Sequence, residues 1–346
     1  MRPVLKSGLL QLWRDSETLQ IGVHPRRGFA LTGLGHAAAA VLSVLDGSRD
    51  RAAVLAAAAV HGVPAETADR VLALLAAAGA LNDFLPHARR ALPEETQTRL
   101  APELATASLT HKDGDGGVSV IVRRRLGHVR VHGGGRIGAS VASLLAASGV
   151  GRVTCHDPRA AGPSDAAPAG LAVTDGGSPR EQGAVRAIHR VAPDTRTDDD
   201  DRSQPDIAVL TEDRDQQLAE NLMAKGIPHL VATAGEAVGV VGPLVIPGRT
   251  ACLRCLDLTR RDRDPAWPLI VAQLAARRPL TTACDAVLAT AVAAHAAGQV
   301  LAFIDRIGPG PAVTNGTLEL VLPDWRWRRR TWPIHFECGC RRNNVA

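Results

Sequence analysis

The stretch His128-Val129-Arg130-Val131-His132 runs into Gly133-Gly134-Gly135-Arg136-Ile137-Gly138, continues to Ser148, and reaches Val153-Thr154-Cys155-His156-Asp157. Its pattern is strand, glycine loop, helix, strand. A G-x-G-x-x-G motif means little alone, but here it follows a strand, opens a helix and is answered by Asp157, about 20 residues on, at the end of the next strand. Glycines let the backbone turn tightly and approach a phosphate, the helix N-terminus adds partial positive charge, and the acid can accept hydrogen bonds from a ribose. Gly133, Gly135, Gly138 and Asp157 are therefore candidate nucleotide-binding residues. The alternative is that the turn serves only tight strand-to-helix packing in a domain without a ligand. Asp206 to Leu210 reads as a further strand, followed by Thr211-Glu212-Asp213 and a helical stretch. This alternation predicts an α/β fold with a Rossmann-like, mainly parallel sheet.

Downstream lie two cysteine pairs, Cys252 and Cys255 in C-L-R-C, and Cys338 and Cys340 in C-G-C. Close spacing lets both sulfurs of a pair face one ion, and two pairs make a tetrahedral set, so a structural zinc site is expected, with disulfide pairing as the rival. Four thiolates leave no open position for water, so such a site clamps a fold and does not catalyse. The other two cysteines, Cys155 in an apolar strand and Cys284 before an apolar helix, read as small hydrophobes.

The 346 residues allow two or three domains, and 45% hydrophobic content supports a large core. With no Tyr and four Phe, that core must be Ala, Val and Leu packed closely. The N-terminus shows no secretory signal, so reduced thiols and a cytoplasmic location are expected. Ala286 to Ile304 is apolar but contains His295 and Gln299, and reads as a buried domain helix and not a membrane span. A net charge of +5 is modest. The run from Trp325 to Trp332, W-R-W-R-R-R-T-W, reads as a strand with Trp toward the core and Arg toward water; stacking on single-stranded nucleic acid is the less favoured alternative. The run Asp198 to Asp201 lacks calcium-loop spacing and reads as a solvated turn.

Residues 1–88 form a domain of their own in this reading. Leu9 to Trp13, Thr18 to Val23 and Phe29 to Thr32 suggest a β-meander, and Gly35 to Leu45, Ala52 to Val60 and Ala65 to Ala78 suggest three helices. That order is winged-helix-like. The polar residues 89–125 read as a linker, and 126–346 as the α/β domain with the zinc site.

Glycine loop, acidic strand end, an Asp after a later strand and the two cysteine pairs together resemble the ThiF/MoeB adenylyltransferase superfamily over about residues 126 to 340. The segment from Val241 to Asp257, with Asp264-Pro265-Ala266-Trp267-Pro268 after it, is similar more specifically to ThiF-like partners of YcaO cyclodehydratases in azole- and azoline-forming (TOMM, thiopeptide-type) peptide biosynthesis. The N-terminal pattern resembles the leader-peptide recognition element of those proteins. The resemblance implies that Gly133, Gly135, Gly138 and Asp157 serve a nucleotide, that Asp213 is the magnesium-associated aspartate, and that Cys252, Cys255, Cys338 and Cys340 hold zinc. It also implies a homodimer. Departures are visible. Where active members carry a second acid and S-N-L-x-R-Q, this chain has Pro158 to Asp165; the catalytic Lys is missing between Gly170 and Pro193, where Arg180, Arg186, His189 and Arg190 are the cations; and Arg136 crowds the loop.

The expectation is thus a protein with little or no adenylation and a vestigial ATP site. It binds the leader of a ribosomally made precursor peptide and presents the core to a YcaO cyclodehydratase acting in trans. The leader adds as a strand at Gly28 to Thr32, against the helix Thr67 to Gly79, with Phe29, Ala30, Leu31, Thr32, Arg70, Val71 and Leu74 as peptide-facing candidates. An active adenylyltransferase on a peptide C-terminus is one alternative. A winged-helix nucleic-acid regulator is the other, disfavoured because Arg70 is the lone Arg or Lys on the helix that would read DNA.

Overall fold

The computed structural model describes residues 1–83, 92–111, 113–198, 203–212, 215–276, 281–306 and 310–340. They divide into two compact units, Met1–Val122 and Arg123–Ala346. In the first, β1 (Pro3–Leu5) is followed by a meander of β2 (Gln11–Trp13), β3 (Thr18–Ile21) and β4 (Phe29–Thr32), antiparallel in that order. Strand alternation aims Leu19, Ile21 and Leu31 inward, where helices α1 (Gly35–Ser43), α2 (Arg51–Val60) and α3 (Ala65–Ala77) cover them with Ala38, Val41, Val54, Val71, Leu72 and Leu75. Asp50 starts α2 by accepting the Ala53 N–H at 2.9 Å, and Gly62, at φ +76°, ends it. Pro64 then caps α3. After α3 the chain returns as β5 (Leu81–Asp83) to pair antiparallel with β1, a pairing that the sequence pattern did not announce.

The segment expected as a linker holds helices α4 (Glu94–Arg99), α5 (Ala101–Thr110) and α6 (Val118–Leu126). Its polar composition hides a few apolar anchors, Leu92, Leu100 and Ile121, which form a small cluster of their own. Helix α6 carries the chain across the division between the units.

The second unit is built on a seven-stranded sheet: β6 (His128–His132), β7 (Arg152–His156), β8 (Ile207–Leu210), β9 (His229–Gly235), β10 (Val238–Val245), β11 (Gly316–Val321) and β12 (Arg326–Thr331), ordered β12-β11-β10-β9-β8-β6-β7. β7, β6, β8 and β9 are parallel neighbours, while β10, β11 and β12 join antiparallel, so the sheet is mixed with the expected parallel part around the glycine loop. Between strands run α7 (Gly138–Ala147), α8 (Arg180–Val191), α9 (Gln216–Ala224), α10 (Leu253–Arg261), α11 (Trp267–Ala276) and α12 (Ala286–Ile304). Strand β8 is buried along its whole length because both faces are covered: Ile207 and Val209 join the cluster with α7 and α12, whereas Ala208 and Leu210 meet Ala219 and Leu222 of α9.

Helix α12 is the one described helix long and apolar enough to cross a membrane. It lies instead on the sheet, with Leu288, Val292, Ala293, Ala296 and Val300 in the main core. Its small side chains allow a close approach, and Gly239 of β10 completes the fit, since a Cβ there would run into Val292. At the sheet's far edge, β12 faces Trp327 inward, where it stacks on His295 at 4.1 Å, and leaves its arginines exposed. Arg328 pairs with Asp324 and Arg330 with Glu319, a charged edge that discourages strand addition.

Candidate functional site: an occupied glycine loop and a four-thiol cluster

The parallel strands place the glycine loop at their C-terminal ends, where β6 passes into α7. Gly133 adopts φ +97°, a conformation closed to most other residues. Gly138 is packed so tightly that a Cβ would strike the Gly133 carbonyl oxygen. Gly134 lies against the backbone and Cβ of Arg180. The Gly135 position is looser, its nearest neighbour being Asp165 at 3.6 Å from a virtual Cβ. Tight strand-to-helix packing therefore accounts for Gly133 and Gly138 by itself.

Asp157, at the end of β7, is buried beside this loop. Its Oδ2 accepts the Gly134 N–H at 2.8 Å and Nη2 of Arg159 at 2.8 Å, and Nη1 of Arg180 approaches the same oxygen at 3.5 Å. Its Oδ1 accepts Nε of Arg159 at 2.8 Å and the Arg159 backbone N–H at 3.2 Å. Burial alone would raise this carboxyl, but the Arg159 fork and the Gly134 N–H overcome it and hold the group at about 2. The carboxylate is thus ionised and already satisfied on both oxygens by the protein itself.

The surrounding cations are committed in the same way. Arg159 also pairs with Glu212, and Arg180 forms a two-point bridge to Asp165, Nε to Oδ2 at 2.9 Å and Nη2 to Oδ1 at 2.8 Å. Arg136 leaves the loop to donate to the carbonyls of Ser164 and Cys284, tying the segment before α12 to the loop. Three carboxylates, Asp157, Asp165 and Glu212, therefore engage Arg159 and Arg180. Arg136, within the loop, meets backbone carbonyls and no carboxylate among the described residues, so it keeps its positive charge there. The sequence had flagged Arg136 and Arg180 but not Arg159 as the partner of Asp157. An arginine two residues after an acid at a strand end was the available signal. Asp213, expected near magnesium, lies outside the described residues. Desolvation, with Asp157 and Glu181 nearby, pushes the half-buried Cys155 thiol up to about 12.

The cysteines lie at the opposite end of the sheet, because β10 runs antiparallel and delivers the chain from Val245 to Cys252. Cys252 caps α10, Cys255 sits one turn in, and Gly339, at φ +68°, makes the tight bend that turns Cys338 and Cys340 to one point. All four thiols are buried, and their sulfurs lie within 4.8 Å of one another. The sulfur separations are 3.8 Å for Cys252–Cys255, 3.4 Å for Cys252–Cys338 and 3.5 Å for Cys255–Cys340. A tetrahedron with metal–sulfur bonds of about 2.3 Å places its sulfurs about 3.8 Å apart, so the set fits one ion. The thiol of Cys252 donates toward Cys255 and draws it down, while burial and the same hydrogen bonds push Cys252 and Cys340 up. Val245, Leu256 and Trp332 seal the cluster.

In the first unit, Leu31 and Val71 have their side chains in the core, at 3% and 0% exposure, and are removed from the candidate peptide-facing set. Alternation along β4 and the inner stripe of α3 demand this. Phe29 is half-buried, whereas Ala30, Thr32, Arg70 and Leu74 are exposed. β4 pairs with β3 on one side only, which leaves its outer edge free among the described residues.

Comparison with known proteins follows this architecture. E. coli MccB, solved with AMPCPP and MccA, overlays with a TM-score of 0.74 at 16% identity over 99% of both chains. The microcin C7 biosynthetic enzyme MccB in complex with N-formylated MccA gives 0.71 at 16% identity, covering 99% of this chain and 100% of that one. PaaA gives 0.71 at 18% identity, covering 94% and 99%. At such identities the likeness is one of fold. No curated protein matches the sequence. Residues 117–341, well over half the chain, match the ThiF family model, and the chain belongs to the ThiF family.

Proposed function

We propose that this protein binds the leader segment of a ribosomally synthesised precursor peptide and presents the core segment to a separate YcaO cyclodehydratase, with little or no adenylation of its own. The observation that carries the second half is the satisfied carboxylate of Asp157, whose oxygens are taken by Arg159, Gly134 and Arg180 where a ribose would need them. The first half is supported by the open edge of β4, which suits strand addition, and by the exposure of Arg70 and Leu74 on α3. The overlay with MccB, solved with MccA, supports peptide handling by the same architecture. The four thiols hold a structural zinc ion in this reading, and two copies pair as a homodimer.

One observation favours a second reading. The overlay extends over 99% of an MccB solved with AMPCPP, so an active adenylyltransferase on a peptide C-terminus is the rival. A nucleic-acid regulator is not supported, because α3 carries Arg70 as its one Lys or Arg.

Titrating labelled precursor peptide, ATP and duplex DNA against the purified protein separates the readings. Saturable leader binding without pyrophosphate release is expected. Peptide-dependent pyrophosphate release overturns the proposal in favour of the adenylyltransferase.

A further inference from the structure

A metal held by two pairs of thiols needs the pairs presented together, and the groups around the ligands decide how firmly that is done. The cysteines reach the cluster on two stretches of chain far apart in sequence. One is the turn after β10, which carries Ala251 and Cys252 into α10; the other is the last described loop, from Trp332 to Cys340. Asn315, just before β11, touches both. Its side-chain Oδ1 accepts the Ala251 N–H at 2.8 Å, and its backbone carbonyl accepts the Trp332 N–H at 2.9 Å. It does so from a left-handed backbone, at φ +50°, which Asn tolerates better than most other side chains. Trp332 is fixed again through its indole, where Nε1 donates to the buried Thr317 hydroxyl of β11 at 3.0 Å and Arg260 of α10 lies over the ring.

His335 makes a second link. Its backbone N–H donates to the sulfur of Cys255 and its carbonyl accepts the Cys338 N–H at 3.1 Å, so it touches one cysteine of each pair. Its ring is buried: Nδ1 accepts the Glu337 N–H at 3.2 Å, which leaves the proton on Nε2, and Nε2 donates to Asp262 Oδ2 at 2.8 Å, just past the end of α10. The ring thus ties the loop back to the helix that carries Cys255. Apart from the N–H given to Cys255, these bonds join groups that are not sulfur, and none of them needs the ion.

We propose that Asn315 and His335 are positioning residues of the metal centre: they hold the two cysteine pairs in a preformed set, so that the ion enters a built site and does not have to gather the chain around itself. The inference rests on the reading that the four thiols bind zinc. A site gathered by its ion uses part of the binding free energy to order the loop, and a preformed one does not. Removing either holder transfers that ordering to the binding step and weakens the affinity for metal. A residue that serves the fold alone destabilises metal-free and loaded protein equally and leaves the affinity as it was.

The test compares the full chain with its Asn315→Gly and His335→Ala variants, by zinc affinity in competition with a chromophoric chelator and by thermal unfolding with and without zinc. Asn315→Gly deletes the side-chain acceptor while leaving the left-handed backbone free of strain. Each variant is expected to bind zinc about tenfold to a hundredfold more weakly than the wild type. The gap in Tm between loaded and metal-free protein should narrow with it. Asn315→Asp keeps both the oxygen acceptor and the tolerance of a left-handed backbone, and is expected to bind within about threefold of the wild type. Wild-type affinity in Asn315→Gly and His335→Ala, with Tm lowered equally in both metal states, assigns the two residues to the fold alone and overturns the proposal while the zinc reading stands. A loss in Asn315→Asp as large as in Asn315→Gly also overturns it, because the acceptor would then not matter. So does a metal-free wild type whose second unit shows no cooperative unfolding, since the set would then form only around the ion. A wild type that takes up no zinc overturns the zinc reading and this inference with it.

Discussion

Arg159 makes the sharpest difference between the two readings of the glycine loop. If its fork merely fills Asp157, then Arg159→Ala frees a carboxylate for a ribose and ATP affinity rises by about tenfold, a gain of about 1.4 kcal/mol. If Arg159 is instead a triphosphate ligand, the same variant loses affinity. Calorimetric titration of ATP into both proteins reads the sign directly, and a gain is expected. The fork has a second consequence, in acid. Asp157 sits at about 2 in the folded protein and near 3.9 when unfolded, so its contribution is complete above the higher value and is lost as pH falls through the lower one. Roughly 2 kcal/mol of stability should disappear between about pH 4 and pH 2, and urea unfolding of Asp157→Asn should show no such loss in that window. The glycines and Asp157 were readable because their spacing within strand, loop and helix is local. The occupation of Asp157 was not, since it depends on where Arg159 and Arg180 point after the chain has folded back across the loop.

At the scale of elements, α3 shows how one helix divides its residues between a core and a surface. Val71 and Leu75 point inward, while Leu74, next to Leu75 in the chain, is 41% exposed. Leu74→Asp should therefore leave thermal unfolding within about 0.5 kcal/mol of wild type and weaken leader binding by about tenfold, whereas Val71→Ala should cost about 2 kcal/mol by opening a cavity. Equal leader affinity in Leu74→Asp and wild type would remove α3 from the peptide surface. The meander and the three helices were legible from alternation and helical spacing, down to the breaks at Gly62 and Pro64. Helices α4 to α6 were not, because a few anchors such as Leu100 and Ile121 carry their burial while the rest of the stretch reads as polar. The β1–β5 pair escaped for another reason: three-residue strands far apart in sequence leave no periodic signal.

For the whole molecule, the position of the thiol cluster matters more than its chemistry. It stands at the end of the sheet away from the glycine loop, joining the segment after β10 to the chain's last described residues, and all four cysteines belong to the second unit. Sequence spacing named these cysteines because a C-x-x-C and a C-x-C each put two sulfurs on one side of a turn; the fold brings the start of α10 and the C-terminal loop together at them. A clamp confined to one unit should act on that unit. Metal binding to a folded four-thiol set is folding free energy, so a chelator, or Cys338→Ser, should remove several kcal/mol from the second unit and lower its Tm by about 10 °C. The first unit has its own core of Leu19, Ile21, Val41, Val71 and Leu75 and needs no metal. Leader affinity measured by fluorescence anisotropy on the stripped protein is therefore expected to match the loaded protein within about twofold while binding of the cyclodehydratase is lost. Simultaneous loss of both would mean that peptide recognition depends on the metal-held unit, and that the two units act as one binding device.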